Sequence, residues 1–339
     1  MTDEKGLATR RAELARLVVG REHELDLILA AVVAGRDLLL EGPPGTSKST
    51  ILRAITESWG IPLHFVEGNA ELTPAKLVGH HNPARVLRED YSADNFVPGP
   101  LVSAMREGGF LYVEEFNRAP EDTLNTLLTA MAEREVNVPR VGRIGASDRF
   151  RLVASMNPYD NVGTTRISAA VYDRLCRLSL TYQTPEEDRR IVALRSTSST
   201  PPEERLVADA VAITRSTREH PDLRHGSSVR GAIDLVAVAT PLTEIRGVAG
   251  GPSGAGARNG SGGGSGNGSG GGAGENAEQC YRAVVLDAAL LALSGRIGVD
   301  ETATASPEQI IRELWESHFV LAPARAGGGP HTLRVPEPT

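Results

Sequence analysis

Cysteine is scarce in this 339-residue chain, with Cys176 and Cys280 the only two. Lacking any CxxC or Cys/His spacing, they support neither a disulfide framework nor a cysteine-rich zinc site; Cys176 reads as a small core residue. Aromatic residues make up 4% of the chain, so there is no aromatic-rich basic stripe of the kind that stacks single-stranded nucleic acid. Basic residues are not in excess either. Against 36 Lys and Arg stand 43 Asp and Glu, for a net charge of −7, which argues against a general nucleic-acid binder. No apolar run approaches the ~18 to 20 residues that cross a bilayer, and the start MTDEKGLATRR lacks the apolar stretch of a signal peptide. A cytoplasmic protein without a membrane segment is the expectation. The eight histidines form no metal constellation, and His80-His81 read as solvated turn residues. What is present is 40% hydrophobic residues beside 23% charged, enough core for one large or two ordinary domains.

Up to residue 185 short apolar runs alternate with helical stretches. Candidate strands are Asp37–Glu41, Leu63–Glu67, Phe110–Glu114, Arg149–Ser155 and Arg177–Tyr182, with amphipathic stretches near 22–34, 48–59, 99–107 and 120–133. That alternation implies an α/β fold, a parallel sheet covered on both faces. Beyond Pro185 the β signal fades, and 186–195, 203–219, 227–239, 280–294 and 307–319 show helical periodicity. Residues 247–274 hold 15 of the 36 glycines; such a segment builds no core and reads as a flexible tether spanning ~30 Å. The tail beyond residue 322 reads as similarly loose.

Leu38-Leu39-Leu40-Glu41 runs into Gly42-Pro43-Pro44-Gly45-Thr46-Ser47-Lys48-Ser49-Thr50. A buried strand, a small-residue turn and an immediate helix aim consecutive N–H groups and a helix N-terminus at one point, a geometry that binds phosphate. Lys48 would reach the β/γ-phosphates and the Ser49 hydroxyl would ligate Mg²⁺. Ser47 stands where the strict G-x-x-x-x-G-K-[ST] pattern has its second glycine, and a serine fits there if its φ is negative. Phe110-Leu111-Tyr112-Val113-Glu114-Glu115 is an apolar strand ending in two acids. At a strand's C-terminal end both reach the crevice above the phosphate loop, where Glu114 can hold Mg²⁺ through water and Glu115 can act as general base. A third strand ends in Ser155-Met156-Asn157-Pro158, and the Asn157 amide can orient the attacking water, although an Asn-Pro pair by itself is more often just a turn.

In this order and spacing the pieces resemble the AAA+ P-loop ATPases, and within them the MoxR-type group, itself similar to magnesium-chelatase ATPase subunits. The strings that carry the likeness are Val18-Val19-Gly20-Arg21-Glu22, LLLEGPPGTSKST, the 96–135 stretch FVPGPLVSAMREGGFLYVEEFNRAPEDTLNTLLTAMAERE, SMNP (155–158), AAVYDRLCRLSL (169–180) and HGSSVRGAIDL (225–235). The resemblance implies an α/β nucleotide-binding domain over 1–184 with a five-stranded parallel sheet. It further implies a small all-helical lid over 185–322, with the glycine-rich insertion at 247–274, and the tail at 323–339. By the same resemblance Val18, Val19 and Gly20 line an adenine pocket and Asn157 is the sensor-1 residue. Arg174 would be an arginine finger reaching a neighbouring copy's γ-phosphate, and Arg230 the sensor-2 arginine of the lid. Residues 79–98 and 135–149 would be inserted hairpins, which in related rings face a central pore. Glu114 replaces the usual aspartate and lengthens the arm to the metal by a methylene.

Taken together, the resemblance implies ATP and Mg²⁺ as cofactors, a hexameric homo-oligomer, and chaperone-like remodelling of a partner with a von Willebrand factor A domain. Three other readings share the same strings. A chelatase-type metal-insertion ATPase subunit would co-purify with a porphyrin-binding subunit, a nucleic-acid motor would show salt-dependent binding to DNA or RNA, and a slow nucleotide-gated scaffold would bind ATP with little turnover.

Overall fold

The structure, a computed structural model, describes residues 6–89, 91–159, 163–196, 202–247 and 272–321. The chain divides into two compact units, Met1–Glu187 and Asp188–Thr339. The tail expected at 323–339 and most of the glycine-rich tether lie outside the described residues. The last three residues of that tether, 272–274, instead open the helix Gly272–Leu293.

Unit 1 is built on five strands: β1 (Leu38–Glu41), β2 (Leu63–Glu67), β3 (Phe110–Glu114), β4 (Arg151–Met156) and β5 (Cys176–Ser179). All pairings are parallel, in the order β2-β3-β4-β1-β5. Side chains alternate between faces along a strand, and here both faces are buried. Leu38, Leu40, Phe110, Tyr112 and Val153 pack on one side with Leu14, Leu25, Ile28, Ile51 and Ile55, from the helices Leu7–Leu17, Glu22–Val33 and Lys48–Trp59. Leu39, Leu111, Val113, Leu152 and Ala154 pack on the other with Leu101, Met105, Leu124 and Leu127, from Pro100–Glu107 and Glu121–Glu133. A doubly covered parallel sheet therefore forms, with near-continuous apolar strands as this architecture requires.

Edge strand β5 is shorter than its expected Arg177–Tyr182, because its one neighbour, β1, offers four residues to pair with. Cys176, expected in the core, is exposed on that edge. The 79–98 segment is a two-stranded ribbon only at its ends, Gly79–His81 with Phe96–Pro98. Between them Pro83–Glu89 is helical, its first turn capped by Asn82 Oδ1, which accepts from Ala84 N (3.0 Å) and Arg85 N (3.4 Å). The 135–149 segment forms the hairpin Glu135–Val138 with Gly142–Gly145, and Val136, Val138 and Ile144 join the core rather than an exposed surface.

Unit 2 packs Glu204–Ser216, Val229–Ile245, Gly272–Leu293 and Pro307–Glu316 around Val192, Val211, Leu235, Val285 and Ile311. It is not purely helical, since Leu223–His225 pairs antiparallel with Gly298–Val299. Asp188, buried in this unit, is held by Arg215 (2.7 Å) and Arg218 (3.3 Å). Among the described residues no helix is long and apolar enough to cross a membrane.

Candidate functional site

The crevice at the carboxyl ends of β1, β3 and β4 gathers most of the expected residues. β1 delivers the chain into Gly42–Ser47, and the helix Lys48–Trp59 starts at once. Gly42 (φ 154°) and Gly45 (φ 76°) take backbone conformations that favour glycine, and Gly42 N donates to Met156 O at the end of β4 (3.2 Å). Pro43 and Pro44 stiffen the turn, and Thr46 Oγ1 donates to Pro43 O (2.9 Å). Lys48 folds back over the loop, its Nζ donating to Gly42 O (2.7 Å), Pro43 O (2.9 Å) and Thr46 Oγ1 (3.4 Å). The loop's own carbonyls thus occupy the ammonium that a phosphate would claim. Ser47 departs from the expected negative φ. Its φ is +67°, the left-handed conformation that the missing glycine would have adopted without a Cβ penalty.

Across the crevice the Ser49 hydroxyl donates to Glu114 Oε1 (2.7 Å). Tyr112 closes a small network there. Its hydroxyl lies 3.1 Å from Ser49 Oγ and 2.9 Å from Ser155 Oγ, and donates to Glu114 Oε1 at 3.4 Å. Burial pushes the Tyr112 hydroxyl up to about 12, so it remains a neutral donor at physiological pH. Ser49 and Glu114 offer the hard oxygen donors that magnesium prefers, and this donor set fits the cation. Thr50 continues the helix behind them.

Glu115 ends the strand in a left-handed conformation (φ 52°). Its Oε2 lies 3.2 Å from Arg118 Nε, one helical turn on. Gly68, just beyond β2, donates its N–H to Glu114 O (2.7 Å), and a Cβ on Gly68 would fall 2.9 Å from the Glu115 carbonyl carbon. Asn117 is buried, and its Nδ2 donates to Asn157 O (3.4 Å), tying the turn after Glu115 to the end of β4. The Asn157 side chain accepts from Tyr159 N (3.2 Å), the turn role its Asn-Pro pairing suggested.

The remaining candidates lie elsewhere. Val18 is buried, and Gly20 (φ 66°) packs against the Glu187 side chain, with Val19 half-buried between them in the chain. Arg174 is exposed ahead of β5, whose first residue Cys176 pairs with Leu38 at the start of β1. It therefore stands toward the amino-terminal end of the strands, opposite the end that carries the phosphate loop, with Nη1 donating to Ala170 O (2.9 Å). Arg230 belongs to unit 2, exposed in the first turn of the Ser228-capped helix. Sequence reasoning passed over Tyr112, Gly68, Arg118 and Gln183. Tyr112 alone left a signal, since a tyrosine inside an apolar strand needs a partner for its hydroxyl.

Residues 37–175 match the family model described as AAA domain, dynein-related subfamily. The chain is 25% identical over 269 residues to Chaperone MoxR1 of Mycobacterium tuberculosis, covering 69% of this chain and 68% of that protein. It is 30% identical over 175 residues to Protein MoxR of Methylorubrum extorquens, covering 51% and 49%. Gas vesicle ATPase GvpN of Ancylobacter aquaticus is 27% identical over 224 residues, covering 61% of each chain.

Proposed function

The chain carries an AAA+ ATPase domain of the MoxR type, and on that premise we propose that it hydrolyses ATP in a ring of identical copies to remodel or activate a partner protein. The observation that carries this reading is the Ser49–Glu114 hydrogen bond at the mouth of a glycine-lined phosphate loop. It joins the two oxygen donors for Mg²⁺ in the same crevice as Lys48 and Glu115. Lys48 exchanges the carbonyls of Gly42 and Pro43 for the β- and γ-phosphates. Bound Mg²⁺ supplies charge neutralisation as the terminal phosphoryl leaves. Glu115 accepts the proton of the attacking water while the oxygen of that water bonds to the γ-phosphorus and the bond to ADP breaks. Asn157 orients the water.

Arg174 precedes the start of β5, at the end of the sheet away from its own phosphate loop, and it completes the site of a neighbouring copy, where its guanidinium offsets charge on the transferred phosphoryl. We take the ring to be a hexamer, and Arg230 to be the sensor-2 arginine of the second unit. Val18, Val19 and Gly20 border the base and favour adenine. The relative called a chaperone supports a remodelling role, and a partner with a von Willebrand factor A domain is the class of client-binding protein this reading implies. The 1–184 and 185–322 domains are the motor and its lid.

Mixing two inactive variants tests the proposal. Glu115→Gln should abolish turnover yet keep nucleotide binding, and Arg174→Ala should abolish turnover by removing the finger. Mixed in equal amounts they regain activity, since about one site in four pairs an intact Glu115 with an intact Arg174 in a randomly assembled ring. A mixture as inactive as its components refutes the trans site.

A further inference from the structure

The segment after β5 runs along the phosphate loop as a strap. Leu180 N donates to Glu41 O (2.7 Å), and the Leu180 carbonyl lies so close to Gly42 that a Cβ there would overlap it. Thr181 O accepts from Arg21 Nη2, and Arg21 is itself buried. Thr184 N donates to Glu187 Oε2 (2.8 Å), and the Glu187 side chain packs on Gly20. Between these anchors Gln183, only 4% exposed, donates from Nε2 to the Ser47 hydroxyl (3.2 Å).

Ser47 needs such a hold. Its φ of +67° carries a steric penalty that glycine lacks, yet this conformation sets the direction of the loop N–H groups just before Lys48. A glycine at this position would have no hydroxyl for a glutamine to grip. We propose that Gln183 is a positioning residue for the phosphate loop, holding Ser47 left-handed through its hydroxyl and so keeping the loop shaped for a nucleoside diphosphate. The pairing makes the serine and the glutamine one unit, contributed by the loop and by the strap. The role rests on the nucleotide site proposed above.

The test compares Gln183→Met, which keeps the volume and removes the amide, in two backgrounds: the parent chain and Ser47→Gly. The full chain is titrated with fluorescent ADP and Mg²⁺, and ATP turnover is measured alongside. In the parent background Q183M should weaken ADP binding about three- to tenfold, the span of one ordinary hydrogen bond, and raise KM for ATP while kcat changes less than about twofold. On the S47G background, with no hydroxyl to hold, Q183M should change affinity by less than about twofold. Equal losses in both backgrounds would mean that Gln183 merely packs, and the role fails. A parent that binds ADP beside a Q183M that binds it equally well also overturns the role and leaves the nucleotide site standing. A parent that binds no ADP overturns the nucleotide reading and this role with it.

Discussion

Gly68 lies 47 residues ahead of Glu115 in the chain, outside every nucleotide motif, yet the placement of Glu115 depends on it. Its N–H donates to Glu114 O (2.7 Å), and a Cβ on it would lie 2.9 Å from the Glu115 carbonyl carbon, 3.1 Å from Glu114 O and closer still to Glu115 O. All three are backbone atoms, so no side chain can swing aside. Carbon and oxygen need roughly 3.3 Å or more, so Gly68→Ala must push the β2 loop and the acidic tip apart by about 1 Å. Overpacking of this kind, with a strained backbone hydrogen bond, should destabilise the protein by about 2–4 kcal/mol. With Glu115 as the proposed general base, the catalytic consequence is larger in proportion, since misplacing a reacting group by about 1 Å can cost ~100-fold in rate. ADP affinity should change by less than about fivefold, because Lys48 and the glycines of the loop do not touch Gly68. Gly60→Ala is the control. Gly60, unlike Gly68, is left-handed (φ 60°), at the end of the helix Lys48–Trp59, and its Cβ would meet nothing within 4 Å. It should lose about 1 kcal/mol of stability from backbone strain and no turnover. Thermal unfolding, ADP titration and phosphate release on the three proteins decide the matter. If G68A turns over ATP within about threefold of G60A, the geometric support assigned to Gly68 is wrong.

Two further perturbations probe charges. Glu41 is 1% exposed just before the phosphate loop, with Arg177 Nε at 2.5 Å and Tyr172 Oη at 3.4 Å. Arg177→Ala strands that carboxylate and should cost about 1–3 kcal/mol by denaturant unfolding, less than a fully buried pair because Arg177 itself faces solvent. The double variant E41Q/R177A should recover part of the loss, and an R177A within about 0.5 kcal/mol of the parent would make the pair an ordinary surface contact. In unit 2 the hydrogen bond from Arg205, reinforced by Arg282, pulls Glu278 from an ordinary value of 4.5 down to about 2. A depressed carboxylate stabilises the fold above its ordinary value and loses that contribution as pH falls through the folded one. The gap in unfolding temperature between parent and Glu278→Gln should therefore be full above about pH 4.5 and close toward pH 2; a gap that stays constant over that window contradicts the assignment.

The sheet was legible because its signal is local. Leu38-Leu39-Leu40 and Phe110 to Val113 are apolar on both faces, and each gives way at once to turn or acidic residues that end a strand. The helix after the phosphate loop lies at Lys48–Trp59, where Gly60 and the small residues before Lys48 mark both its limits. Elements whose cause lies elsewhere in the chain were not legible. The Leu223–His225 strand of unit 2 forms only because Gly298–Val299, far along the chain, comes to pair with it. Helix Leu7–Leu17 has a weak polar–apolar pattern of its own and is fixed by Leu14, which is buried with Ile51 and Ile55.

The site divides along the same line, between residue type and backbone conformation. Four non-glycine residues among those described have positive φ: Ser47, Glu115, Arg134 and Arg140. Arg134 closes the helix Glu121–Glu133 and Arg140 turns the hairpin that follows it, positions where a left-handed residue ends an element. Ser47 and Glu115 also sit at element boundaries, and they lie within two residues of Ser49 and Glu114, which hydrogen-bond across the proposed nucleotide crevice. Strain of ~1–3 kcal/mol per residue persists only where the surroundings over-determine it, and each of the two has its own restraint: the Gln183 amide for Ser47, the Gly68 backbone for Glu115. Sequence alone flagged Ser47, because a serine stood where a glycine was expected. Nothing flagged the backbone conformation of Glu115, since glutamate is an ordinary residue at a strand end and its restraint comes from a glycine just beyond another strand. On the proposed reading the motif letters identify the side chains that do chemistry, while residues outside the motifs, Gln183 and Gly68, hold the backbone that aims them.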